Sequence, residues 1–143
     1  MPFLKDLAAE HLATLAEHAR KVRFEAGQVI GREGDPADRF YLLLSGRVEV
    51  EAFIADEGNV GFQTVGPGEP LGWSWLFPPY RWHFTARALE ATEAFEWNTA
   101  FLTQQSQTDP RFGYQIAARL TRVLLERLRA TTRTMMDFYA PKA

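Results

Sequence analysis

Apolar residues recur at helical spacing near the start of the chain. Leu4, Leu7, Ala8, Leu12, Leu15 and Ala16 share a face, while Lys5, Glu10, His11 and Glu17 take the others, which predicts an amphipathic helix over residues 4–18. The period then shortens to two. Phe24 to Ile30 reads as a strand entering and leaving a glycine turn, and Glu33-Gly34-Asp35-Pro36 is a strong turn. Phe40 to Ser45 is an apolar strand ended by Ser45-Gly46. Arg47 to Glu51 alternates, so Val48, Val50 and Ala52 are expected to face inward and Glu49 and Glu51 to face solvent. Asp56-Glu57-Gly58-Asn59 marks a hairpin loop, Val60 to Val65 its returning strand, and Gly66 to Pro70 a further turn. Phe84 to Ala88 and Ala94 to Trp97 add two more strands.

Helical patterning resumes after Trp97. Asn98 or Thr99 is placed to cap a short helix through about Gln105. Asp109-Pro110 then opens a long one, with an aspartate cap and a proline at the first helical position, where its missing N–H is not needed. Along it Ile116, Leu120, Leu124, Leu128, Thr131, Met135 and Phe138 form a narrow apolar seam. Neither βαβ alternation nor an internal repeat is present. The order predicts a mainly β domain: an antiparallel, jelly-roll-like β-roll with a short N-terminal helix and a long C-terminal helix. One domain is expected over 1–143, with the helix at 4–18, the roll at 22–97, a distinctive segment at 68–83 and helices at 98–139.

Composition narrows the function classes. The 143 residues carry a net charge of -2, which disfavours an electrostatic nucleic-acid binder. Basic residues do concentrate from Arg111 onward, as expected of a solvated helix face or a partner surface. The absence of cysteine excludes disulfides, thiolate metal sites and cysteine nucleophiles. No signal-like or membrane-spanning run is evident, so the expected compartment is the cytoplasm.

Catalytic chemistry finds little support. His11 and His18 lie seven residues apart on the first helix, too far for the usual i,i+4 metal pair, and only His83 falls among the strands. No metal or catalytic residue is assigned, and a cupin-type enzyme is the weaker class. The unusual stretch is Gly68 to His83, in which six of sixteen residues are aromatic or histidine. Rigid aromatics beside Arg81 and His83 suit a pocket for a flat or anionic ligand. Trp73 and Trp75 are equally placed to fill the core or a dimer contact.

Phe24-x-x-Gly27-x-x-Ile30-x-x-x-Gly34-Asp35-x-Ala37-Asp38-x-Phe40-Tyr41-x-Leu43-x-Ser45-Gly46-x-Val48-x-Val50 closely resembles the opening of cyclic nucleotide-binding domains, such as the sensor half of catabolite activator protein and FNR-type regulators. The resemblance continues through Gly68, Gly72 and Arg87-Ala88 into the final helix. It implies a small helical cassette that binds a cyclic phosphate, with a glycine followed by a glutamate for the ribose and an arginine–serine or arginine–threonine pair for the phosphate. It also implies a final helix that covers the base and often dimerises. Gly72 matches the cassette glycine, but Trp73 stands where the family keeps glutamate, and the arginine pair falls on Trp82-His83 with Arg81 one residue away. The standard cyclic AMP contacts are therefore expected to be altered. The chain stops at Ala143, so the resemblance carries no helix-turn-helix module and no direct DNA binding is expected.

The expected function is a non-enzymatic small-molecule sensor without a cofactor, taking a cyclic nucleotide or another small anionic or aromatic ligand. Its candidate ligand contacts are Gly72, Trp73, Ser74, Arg81, Trp82, His83, Thr131 and Thr132. Signalling is expected through a homodimer built on Ile116, Leu120, Leu124, Leu128 and Met135, or through a protein partner on the same helix. The alternative is a degenerate, ligand-free interaction and dimerisation module.

Overall fold

A computed structural model describes residues 2–140. Its first helix is shorter than the periodicity predicts. A 3-10 turn spans Pro2–Leu4, Asp6 adopts a positive φ of 64°, and only then does α1 run over Ala9–His18. The break lets Phe3 and Leu7 enter the core, while Leu15 does so from α1 itself.

Eight strands follow: β1 (Arg20–Phe24), β2 (Val29–Gly31), β3 (Arg39–Ser45), β4 (Val48–Ile54), β5 (Gly58–Val65), β6 (Pro70–Leu71), β7 (Thr85–Ala88) and β8 (Thr92–Asn98). They form two antiparallel sheets of order β1-β8-β3-β6 and β2-β7-β4-β5. Leu42, Leu43, Val48, Val65, Ala86 and Ala94 belong to the core, each nearly or wholly without solvent contact, and the adjacent Leu42 and Leu43 show that β3 is covered on both faces. This is the predicted β-roll, and each sheet's inner face comes from alternate residues of its strands.

One reading of that alternation is corrected. Glu51 is buried rather than solvent-facing, with 7% of its surface exposed. The β4–β5 register shifts between Val50 and Glu51, from Val50 opposite Gln63 to Glu51 opposite Gly61. Such a bulge bends the strand locally. Glu51 Oε2 lies 3.5 Å from the Arg87 Nε on the neighbouring β7, and Glu49 packs over Gly61. The Glu51 carboxylate is therefore covered by its neighbours, while Glu49 is half-buried.

Helix α2 occupies Thr99–Thr108, and the Asn98 side chain accepts from the Ala100 N–H as its cap. Helix α3 runs thirty residues, Pro110–Tyr139, with the Asp109 carboxylate accepting from the N–H groups of Arg111 and Phe112. Its seam divides. Phe112, Ile116 and Leu120 are essentially fully buried in the chain's own core, whereas Leu128, Met135 and Phe138 are 62%, 58% and 79% exposed. Ile116 and Leu120 are thus corrected from dimer contacts to core residues, because the first half of α3 packs into the chain's own core beside α2 and α1.

A polar clasp ties α1 to this corner. The buried His11 places Nδ1 2.7 Å from Gln115 Oε1 and Nε2 3.2 Å from Asp109 Oδ2, with Glu10 3.8 Å from Nε2 and itself 3.8 Å from Arg111. Desolvation raises the Asp109 carboxyl, but the hydrogen bonds from His11, Phe112 and Arg111 outweigh it and hold it below its ordinary value of 3.8. A lowered carboxyl stabilises the fold above its unfolded value and loses that contribution as pH falls through the folded one. Wild type is therefore expected to exceed Asp109→Asn in urea-denaturation midpoint at about pH 6, with the gap closing as the pH falls past the carboxyl's ordinary value and through its lowered one. Asparagine still caps, so a gap that stayed constant with pH would show that the charge contributes nothing.

Candidate functional site

The segment after β6 is led by Gly72 at φ 88°, in the left-handed region that glycine adopts without strain. A Cβ there would also sit 3.1 Å from the Arg39 carbonyl oxygen and 3.2 Å from the Trp82 indole, so both conformation and space select glycine. A single 3-10 turn, Trp73–Leu76, follows. Residues 80–82 then pair back onto residues 34–37: Trp82 N–H donates to Asp35 O at 2.8 Å, Gly34 N–H to Trp82 O at 2.9 Å and Ala37 N–H to Tyr80 O at 2.9 Å.

That pairing sets which side chains point in. Extended residues alternate sides, so Trp82 turns inward and is 8% exposed, its indole lying where a Cβ on Gly31 would be. Arg81 turns outward, and its Nη1 donates to Gly34 O at 2.9 Å. The structure thus places Arg81 on the Gly34 turn and outside the wall of the cavity described next. Trp75 is also settled: it is buried and meets Phe40 edge-on at 6.2 Å.

A cavity of about 200 Å3 opens beside this turn. Gly72, Trp73, Ser74, Trp82, His83 and Thr131 all line it, together with Val50, Phe62, Gln63 and Phe84 from the roll and Leu124, Arg127 and Leu128 from α3. Thr132 does not, because neighbouring helical residues face about 100° apart. Trp73 stacks on His83 with ring centroids 5.0 Å apart, and His83 Nδ1 lies 2.9 Å from the Ser74 Oγ. Phe62 and Phe84 meet edge-on at 4.8 Å on the other wall. The wall is thus largely aromatic, and no aspartate or glutamate contributes to it.

Arg127 is the wall residue that sequence reading misses. Its Nη2 donates to Pro70 O at 2.9 Å, while its Nε is buried without an acceptor. Desolvation lowers its pKa from the ordinary value, opposed by the carboxylates of Glu69 and Glu126. A signal for it exists in the helix period: Leu124, Arg127, Leu128 and Thr131 are spaced i, i+3, i+4 and i+7 on one face. Among the described residues, no group of three or more histidine, aspartate or glutamate side chains is placed to hold a metal ion. Nor is any helix there long and apolar enough to cross a membrane.

Fold and cavity together define a two-sheet β-roll whose terminal helix returns over a pocket beside a glycine-led turn. The family model for the cyclic nucleotide-binding domain matches residues 21–109, and the chain belongs to that family. It is 27% identical over 126 residues to the CRP-like cAMP-activated global transcriptional regulator of Mycobacterium tuberculosis, covering 88% of this chain and 54% of the regulator. The chain therefore spans about half the length of that relative. Among solved structures, a protein of Geobacter metallireducens described as cyclic nucleotide-binding superposes with a TM-score of 0.78 at 30% identity, covering 88% of this chain and 91% of the other. The N-terminal domain of a transcriptional regulator from Streptomyces coelicolor gives 0.71 at 27%, covering 92% and 91%.

Proposed function

We propose that this chain is a non-enzymatic, cytoplasmic ligand-sensing domain that reports the occupancy of its 200 Å3 cavity through α3. The observation that carries this is the double role of one helix. Leu124, Arg127, Leu128 and Thr131 line the cavity, and the next turns expose Met135, Met136, Phe138 and Tyr139. A ligand that orders the first stretch biases the second. An exposed apolar stripe of this kind is suited to a second copy of the chain, as in helix pairs with apolar residues every three or four positions. Leu128 and Met135 then belong to the dimer contact, with Leu124 at its edge. A protein partner on the same stripe, or a ligand-free interaction module, is the competing reading.

The standard contacts to a cyclic phosphate are altered in this reading. Trp73 follows the glycine, Arg81 serves the Gly34 turn, and Trp82-His83 stands where the resemblance implies the phosphate-binding pair. The test is a titration of cyclic AMP, cyclic GMP and a panel of organic anions, followed by the fluorescence of Trp73 and Trp82, with sedimentation velocity run at each end point. A saturable change accompanied by a shift in self-association is expected. Self-association that no compound alters would instead support the ligand-free module.

A further inference from the structure

The cavity has one cation and no anion to match it. Arg127 enters from α3, and its guanidinium makes one hydrogen bond, to the Pro70 carbonyl oxygen. Its Nε is buried with no acceptor, and among the described residues no carboxylate lies within ion-pair distance. Glu69, a nearby carboxylate, instead accepts from the Gly66 N–H at 2.8 Å. A buried donor left unmatched is costly, and a charged one more so. The guanidinium's planar fork is shaped for a carboxylate, which it binds through two parallel N–H···O contacts.

The rest of the wall limits what that anion carries. Trp73, Trp82, Phe62 and Phe84 present ring surface, and Leu124 and Leu128 close the side formed by α3. Size is compatible with such a ligand. A cavity of roughly 150 Å3 holds a benzene, so about 200 Å3 accommodates one aromatic ring with a short anionic arm, and a second void of about 1060 Å3 shares Phe62, Gln63, Arg127 and Thr131 with it.

We propose that the cavity binds a small aromatic carboxylate, its carboxylate held by Arg127 and its ring lying against Trp73 and Phe84. This rests on the sensing reading and assigns that site its ligand class. The hydroxyl of Thr131 on the same wall supplies a further donor to the carboxylate oxygens.

Phenylacetate and benzoate are the probes, with phenylacetamide as the neutral isostere and cyclic AMP as the competitor, each followed by tryptophan fluorescence and calorimetry. Phenylacetate or benzoate is expected to saturate the signal and to bind at least tenfold more tightly than phenylacetamide or cyclic AMP. Arg127→Gln is expected to lose at least tenfold in affinity for the carboxylates, and Arg127→Lys to recover part of it, with thermal melts showing that both variants fold. Cyclic AMP binding more tightly than the carboxylates, or carboxylate binding indifferent to Arg127→Gln, overturns the ligand class while leaving the sensing reading intact. No response to these probes or to the wider panel overturns both.

Discussion

Trp82→Ala is expected to lower the unfolding free energy by about 3–5 kcal/mol, the usual loss when a buried tryptophan is cut back to alanine. The indole is 8% exposed and fills the space that glycine leaves at positions 31 and 72. Neither glycine has a side chain with which to close the gap, so the cavity left behind collapses poorly, and poor collapse puts the cost at the upper end. Urea denaturation reads the stability change directly. Trp73→Ala is the comparison, since that ring is half-exposed on the cavity wall and its loss is expected to cost less. Trp82→Ala also removes part of the wall of the proposed ligand site, so affinity for a compound bound there is expected to fall with it. A loss below about 1 kcal/mol would show that the indole is not packed as described.

The contrast between Trp82 and Arg81 shows where sequence reasoning reaches its limit. Glycine spacing, turn residues and caps are local chemistry, and they locate the β-roll, a cap at Asn98 or Thr99 and the Asp109-Pro110 start of α3 from the chain alone. Which of two adjacent residues points inward depends on a partner strand. For Arg81 and Trp82 that partner is the turn at residues 34–37, more than forty positions earlier. The same holds for Glu51, whose alternation with Val48 and Val50 is broken by a bulge that only its pairing with β5 reveals. Periodicity likewise groups Ile116, Leu120, Leu128 and Met135 on one face of a helix without saying what covers each. The chain's own core takes in the first two and leaves the last two exposed. Arg127 is hidden for a related reason: it reads as one more solvated arginine until α3 is seen to return over the cavity.

Phe112→Ala is expected to cost about 3–5 kcal/mol as well, but by a different route. The ring has no solvent exposure, meets His11 edge-on at 5.6 Å, and sits in the first turn of α3, next to the Asp109 cap. It therefore anchors the fixed end of the helix whose far end is exposed. Met135→Ala offers the complementary case, since the side chain is 58% exposed within one chain. In dilute solution that change is expected to move stability by no more than about 0.5 kcal/mol. At high concentration it is expected to weaken self-association if the exposed stripe pairs with a second copy. Chemical denaturation across a wide range of protein concentration separates the two. Phe112→Ala shifts the midpoint at every concentration, because it removes core contacts within the chain. Met135→Ala shifts it only where the protein is associated, because mass action then adds the dimer's stability to the fold. A Met135→Ala midpoint that tracks wild type at all concentrations would remove the stripe as a self-association surface, leaving α3 free to report to a different partner.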